Sequence, residues 1–277
     1  MKKSKNKYIT YVILIVFSFI CIMPMLYMIN TTIKPNSSLY QFPPQFLPKI
    51  AEITSENYSY VLKNSTFYLN FLNSLIVASL SVAFSTLIAS SLAFVIARFD
   101  FFGKKLLFGM IVLTMMIPSL TLIVPQYELA AKLGVINKLS GLIPFYTAWV
   151  IPYSTFMIKV YIEKIPREFD EAVYMDGGSA LSVFFRVILP LSKPVIATVS
   201  IFNFLTCWDE FPWANTVIND ETKRTMPIAI SGFFGQHQFT QWGYVFALSA
   251  LSLIPILVIY ISGQKYFVED INNGGIK

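Results

Sequence analysis

Residues 171–190 read EAVYMDGGSALSVFFRVILP. The sequence around them predicts two short helices joined by a glycine turn. Pro166 suits a first helical position, where its missing N–H costs nothing. Residues 167–175 then make two to three turns, with Arg167, Glu168, Asp170 and Glu171 early. Acids near a helix N-terminus fit its dipole. Gly177-Gly178 ends the helix, because glycine takes a positive φ without the roughly 1–2 kcal/mol that a side chain adds. Ser179 suits the N-cap of a second helix over 180–188, and Pro190 and Pro194 set the entry into the next apolar run. The hairpin is too polar to enter a bilayer. Phe169, Ala172, Val173 and Met175 also give it a partial apolar face. A helix lying on lipid headgroups wants a basic polar face. This one is acidic, so a knob that docks on another protein fits better.

The rest of the chain is greasy. Of 277 residues, 55% are hydrophobic and 13% charged, against about 25% charged in soluble domains. That composition predicts an all-α integral membrane protein. Residues 8–29 are uncharged and long enough to cross a bilayer. The run is too long for a signal-peptide core, and no small-x-small cleavage site comes after it. Residues 31–66 are an external loop rich in proline and polar groups. A second span lies within 67–97 and carries Ser74, Ala78, Ser79, Ala83, Ala89, Ala93 and other small residues. Small residues let helix backbones approach closely, which suggests a central position. Further spans are expected at about 106–126, 139–160, 193–217 and 242–264, most of them containing proline.

The formal charge of +6 would suit nucleic acid in a soluble protein. Here it fits the positive-inside bias. With the N-terminus inside, the inner segments (1–7, 98–105, 159–193 and 265–277) hold fourteen of the 21 Lys and Arg. The bias predicts six transmembrane helices with both termini cytoplasmic. The organisation is then 1–30 (N-terminus and first helix), 31–66 (external loop), 67–264 (a core of five helices with a cytoplasmic loop at 163–192) and 265–277 (cytoplasmic tail).

The residue patterns of enzyme chemistry do not occur. Cys21 and Cys207 sit in apolar runs without metal-ligand spacing, and His237 has no cluster around it. The phosphate-cradling Gly-x4-Gly-Lys-Ser/Thr pattern is missing; the Gly-Lys-Lys at 103–105 is a lone basic turn. No metal and no cofactor is expected on this chain.

The hairpin resembles the cytoplasmic EAA loop of ABC-importer permeases: Glu-Ala-Ala, three residues, Gly, nine residues, Ile-x-Leu-Pro. This chain has Glu171-Ala172-Val173, then Gly177, then Val187-Ile188-Leu189-Pro190, with Asp176 before the glycine. It departs at Val173 and Val187, both mild apolar swaps. The segments 102–146, 207–218 and 264–277 resemble MalG-type subunits of carbohydrate importers. The resemblance implies a type I ABC-importer permease in a bacterial cytoplasmic membrane. It also implies a heterodimer with a second related permease, and two ATPase subunits below that bind the ATP and Mg. An extracytoplasmic solute-binding protein would deliver a sugar from above, with no role for nucleic acid. Glu171, Ala172, Asp176, Gly177, Gly178, Arg186, Leu189 and Pro190 would then form the ATPase-coupling element.

For the substrate path, Asn203, Trp208, Asp209, Glu210 and Trp213 offer the aromatic faces, acids and amides that sugars use, with Asn215 beside them. If 193–217 is one helix, the two acids sit in its outer half, where charges usually face a cavity or a partner. An interfacial aromatic belt with ordinary boundary charges accounts for them equally well. Asn73 fits an interhelical hydrogen bond better than a substrate contact. The loop 218–241 is placed to touch a binding protein. Rival readings are the same machine for glycerol phosphate, a polyamine or a peptide, or an ion-coupled secondary transporter. The last should show buried acids across several spans and inverted repeats, and neither is evident.

Overall fold

The structure is a computed structural model that describes residues 2–43, 45–63, 65–234 and 240–274. Its regular elements are helices; no strand occurs among the described residues. In chain order they are α1 (Lys2–Thr32), α2 (Glu56–Lys63), α3 (Ser65–Arg98), α4 (Lys104–Thr114), α5 (Ile123–Lys132), α6 (Leu139–Ile162), α7 (Glu168–Met175), α8 (Ala180–Val183), α9 (Leu189–Leu191), α10 (Lys193–Trp208), α11 (Pro212–Val217), α12 (Met226–Gly232) and α13 (Trp242–Gly274). A π turn, Phe184–Ile188, joins α8 to α9.

Three helices are long and apolar enough to cross a membrane unbroken, over Lys7–Thr32, Thr66–Arg98 and Trp242–Gln264. Two of the other expected spans are not single helices. At the third, Lys104–Thr114 and Ser119–Lys132 meet at 96°. The cause is Pro118, which has no N–H to continue the ladder and holds the chain extended at ψ 125°. The last N–H groups before it, on Met115, Met116 and Ile117, close tight turns onto Val112, Leu113 and Thr114 instead. At the fifth, the continuous helix expected over 193–217 stops at Trp208 and restarts at Pro212. Proline there lacks the N–H that a continuing helix would need and would press on the carbonyl four residues back. The proline-bearing α6 is about 36 Å long by its residue count, enough to span the hydrocarbon.

The chain divides into two compact units, Met1–Tyr68 with Ala229–Ile254, and Leu69–Ile228 with Pro255–Lys277. In the first, Asn57 is a buried hub. Its Nδ2 donates to the carbonyls of Thr32 at 2.7 Å and Lys34 at 2.8 Å, and its Oδ1 accepts from Asn36 at 3.0 Å. Asn36 Oδ1 in turn accepts the Gly243 N–H at 2.8 Å. Tyr60 and Tyr244 stack at 4.0 Å. The apolar side chains of α1 between Tyr8 and Leu26 are exposed along the helix.

In the second unit the core lies at the end of α3 that leads to Arg98. Ala89, Ala93, Phe94 and Ala97 of α3 meet Ile158 and Ile162 of α6 and Val195 and Val199 of α10. The alanines are fully or almost fully buried, so the small side chains set the close approach. Val183, Phe184 and Ile188 of the hairpin complete this cluster.

Candidate functional site

The hairpin is built as two rigid pieces. α7 ends in a Schellman motif: the Gly178 N–H donates to the Val173 carbonyl at 2.8 Å and the Gly177 N–H to that of Tyr174 at 3.0 Å. Gly177 has φ +78°. A Cβ on Gly178 would lie 2.5 Å from Val173 Cγ1 and 2.8 Å from its carbonyl oxygen. The first glycine is thus required by the backbone angle and the second by space. Ser179 caps α8, accepting the Ser182 N–H at 3.4 Å. The helix then widens into the π turn, where the Leu189 N–H reaches back to the Phe184 carbonyl. This widening ends at Pro190, whose ring would press on the Arg186 carbonyl in a regular α-helix. At Ser192 the chain bends by 74° into α10.

The outward face is apolar. Met175 is 87% exposed, Leu181 68% and Phe169 50%. Glu171, Ala172, Asp176, Gly177, Arg186 and Pro190 are exposed beside them, and Gly178 and Leu189 are half-buried. The inward face is anchored by the buried Val183, Phe184 and Ile188, with the Phe184 ring 5.2 Å from that of Phe94.

A second anchor is ionic. Arg98 Nε lies 2.7 Å from Asp170 Oδ2, with the two side chains 6% and 10% exposed. Arg98 Nη2 also donates to the Ile165 carbonyl at 2.9 Å. Burial pushes the Asp170 carboxyl up, and the Arg98 and Arg167 guanidiniums pull it back. From sequence, Asp170 is only one of several acids in a first turn. Nothing in its spacing points to an arginine some seventy residues earlier.

The residues proposed from sequence for the substrate path gather at the break between α10 and α11. Asn203 is buried and donates to Ser154 Oγ at 2.9 Å. Trp208 is buried between Phe71, 5.7 Å away, and Phe204, 5.5 Å away. Asp209 is exposed. The Glu210 carboxylate caps α11, accepting the N–H groups of Trp213 at 2.7 Å and Ala214 at 3.0 Å and the Tyr146 hydroxyl at 2.6 Å. Trp213 is buried against Phe145 at 4.7 Å and Trp149 at 6.3 Å. The structure therefore packs Asn203, Trp208 and Trp213 inside the helices and leaves Asp209 at a surface. The sequence reading missed Tyr146 and Trp149, which carry the break on the α6 side.

Asn73 donates to the carbonyls of Thr222 at 2.9 Å and Arg224 at 3.0 Å, fastening α3 to the loop after α11 rather than to another helix. In that loop the Thr222 hydroxyl and N–H and the Lys223 ammonium hold the Asp220 carboxyl at about 2. His237 and the rest of 235–239 lie outside the described residues, as does the end of the tail, 275–277. Cys21 is exposed on α1 and Cys207 is buried. Among the described residues no three His, Cys, Asp or Glu stand close enough to hold a metal ion.

A family model described as the binding-protein-dependent transport system inner membrane component matches residues 85–272. The chain is 32% identical to the trehalose/maltose transport system permease protein MalG of Thermococcus litoralis, covering 95% of this chain and 94% of that one. It is 27% identical over the full length of both to the melibiose/raffinose/stachyose import permease protein MelC of Bacillus subtilis. Its fold matches a chain of a bacterial ABC transporter that imports the acidic polysaccharide alginate. The TM-score is 0.84 at 21% identity, over 96% of this chain and 98% of that one.

Proposed function

The chain belongs to the binding-protein-dependent transport inner-membrane component family, and we propose that it is the permease subunit of an ATP-driven saccharide importer. The observation that carries this is the hairpin. It is a rigid, glycine-locked knob with an apolar outer face, bolted to the ends of α3, α6 and α10. An exposed Met175, Leu181 and Phe169 on a polar loop is the surface a soluble partner would cover. A load applied there passes into three helices of the core without a flexible joint. In this reading two ATPase subunits bind the ATP and Mg, seat the hairpin of this chain and that of a second, related permease, and drive alternating access. The chain crosses the membrane six times with both ends cytoplasmic, and an extracytoplasmic binding protein delivers the substrate. The sugars in the relatives' names, trehalose and maltose in one and melibiose, raffinose and stachyose in another, support a saccharide.

The test is co-purification of tagged chain with the permease and ATPase expressed beside it. Met175→Glu changes an exposed side chain, so membrane insertion and permease pairing should persist while the ATPase is lost. Gly177→Arg should do the same through the turn. Retention of the ATPase by both variants would sink the coupling role.

A further inference from the structure

A cavity of about 650 Å³ opens between the last turn of α3, the first turn of α4 and the loop from α6 to α7. Its lining is charged: Arg98, Lys104, Lys164 and Arg167 against Glu163 and Glu168. The partners of these groups decide what charge is left over. Arg98 is taken by Asp170 at 2.7 Å and Lys104 by Asp100 at 3.0 Å. Glu163 is taken by Lys159 at 2.9 Å. Lys164 and Arg167 are exposed and form no ion pair among the described residues. The Arg167 charge is felt at the carboxyls of Asp100 and Asp170 but pairs with neither. Two free cations thus face one free acid, Glu168, and the exposed Lys105 beside Lys104 adds to the surplus. The cavity lacks a negative charge. A phosphodiester carries one, with oxygens that an arginine fork and a lysine can both bond.

The surroundings identify where such a phosphate comes from. The cavity lies at the end of α3, an apolar helix long enough to cross a membrane. Beside it, Val95 and Phe99 at the end of α3 and Leu106 on α4 are exposed, and Phe102 in the turn between the helices is fully exposed. Gly103, with φ +82°, makes that turn possible. Aromatic side chains at the end of a spanning helix sit at the headgroup level of a bilayer, which puts the basic cavity at the depth of lipid phosphates. Acyl chains can lie along these apolar side chains, and a soluble phosphate would gain nothing from them. Basic cavities between helix ends at this depth are suited to anionic headgroups.

We propose that this cavity seats the phosphate of an anionic phospholipid on Lys164 and Arg167, with its acyl chains beside Phe102 and Leu106. Arg98 lines the same cavity and holds Asp170 of the hairpin, so the lipid would brace the joint between α3 and the hairpin. The inference needs only that the chain spans a membrane, and stands apart from the importer reading. The full chain, purified in its complex in detergent, would be titrated with phosphatidylglycerol and with phosphatidylcholine of the same acyl chains, and bound lipid counted by native mass spectrometry. Phosphatidylglycerol should bind about tenfold or more tightly than phosphatidylcholine. Lys164→Gln with Arg167→Gln should weaken phosphatidylglycerol about thirtyfold, the combined worth of two cations near an anionic lipid, and leave phosphatidylcholine within about twofold. Lys164→Arg with Arg167→Lys should keep the preference. So should Lys132→Gln with Lys138→Gln, which removes the same charge beside the opposite end of α6. Equal binding of the two lipids by the wild type overturns the proposal, as does a preference that survives the glutamine pair or falls equally in the Lys132 and Lys138 control. Displacement of phosphatidylglycerol by an equal concentration of glycerol 3-phosphate would make this a soluble-anion site and overturn the lipid. Loss of a partner subunit from the glutamine pair, with its lipid preference intact, would assign the cations to a protein contact instead.

Discussion

Arg98, the last residue of α3, and Asp170, in the first turn of α7, form an ion pair at 2.7 Å that is almost wholly removed from solvent. Removing one partner leaves the other charge buried and unpaired, which costs about 3–5 kcal/mol in comparable sites. Arg98→Ala and Asp170→Ala should each lower the thermal midpoint of the purified complex and uncouple ATP hydrolysis from uptake. The apolar pair Arg98→Met with Asp170→Leu should regain most of the stability. Equal midpoints for wild type and both single variants would show that the pair bears no load.

The two glycines of the hairpin should fail differently. Gly177→Ala meets no neighbour but must hold φ +78°, a strain of about 1–2 kcal/mol. Gly177→Asn, which tolerates that region, should transport better than Gly177→Ala. Gly178→Ala drives its Cβ into Val173 and should be worse than either. Uptake rates of the three variants give the order directly.

Glu210 satisfies two backbone N–H groups and the Tyr146 hydroxyl at once. Glu210→Ala leaves three donors in need of a partner, at about 1–3 kcal/mol for each one that stays buried. Tyr146→Phe removes one donor with its acceptor still engaged and should cost less. The double variant should be no worse than Glu210→Ala alone, because the two share one network. Thermal unfolding of the four proteins checks the cycle.

In the unit containing the N-terminus, a Cβ on Gly243 would lie 2.5 Å from Asn57 Oδ1. Gly243→Ala should therefore displace Asn57 from the carbonyls of Thr32 and Lys34. Asn57→Ala should show the same defect, a fall in the thermal midpoint, and adding Gly243→Ala to it should bring little further loss.

The hairpin is legible in the sequence because its determinants are local. Two glycines and a serine cap specify their own turns within a few residues, and those turns are in the structure; Pro166 stands one residue before the cap at Arg167 rather than in the first turn, and the second helix, expected over 180–188, widens after Val183 into a π turn. The broken spans are only half legible. Pro118 and Pro212 announce kinks, but a kink and a 96° break look alike in one dimension, since the outcome depends on what receives the freed N–H and C=O groups. Glu210 carries a local clue: an acid two residues before a proline at the start of a helix is placed to cap it. Arg98 with Asp170, and Tyr146 with Glu210, are not legible. Each pair joins residues far apart in sequence, and no spacing rule connects them.

The π turn at Phe184–Ile188 is, in terms of phase, one residue more than an α-helix of the same height would contain. Winding the same residues as a regular α-helix, with none deleted, would carry everything beyond them round by about 100°. Pro190 and the joint at Ser192 would then point toward another side of the bundle. The direction in which α10 leaves the hairpin thus depends on the wide turn absorbing one residue, and losing a single residue there should be tolerated better than losing one from the regular winding of α10.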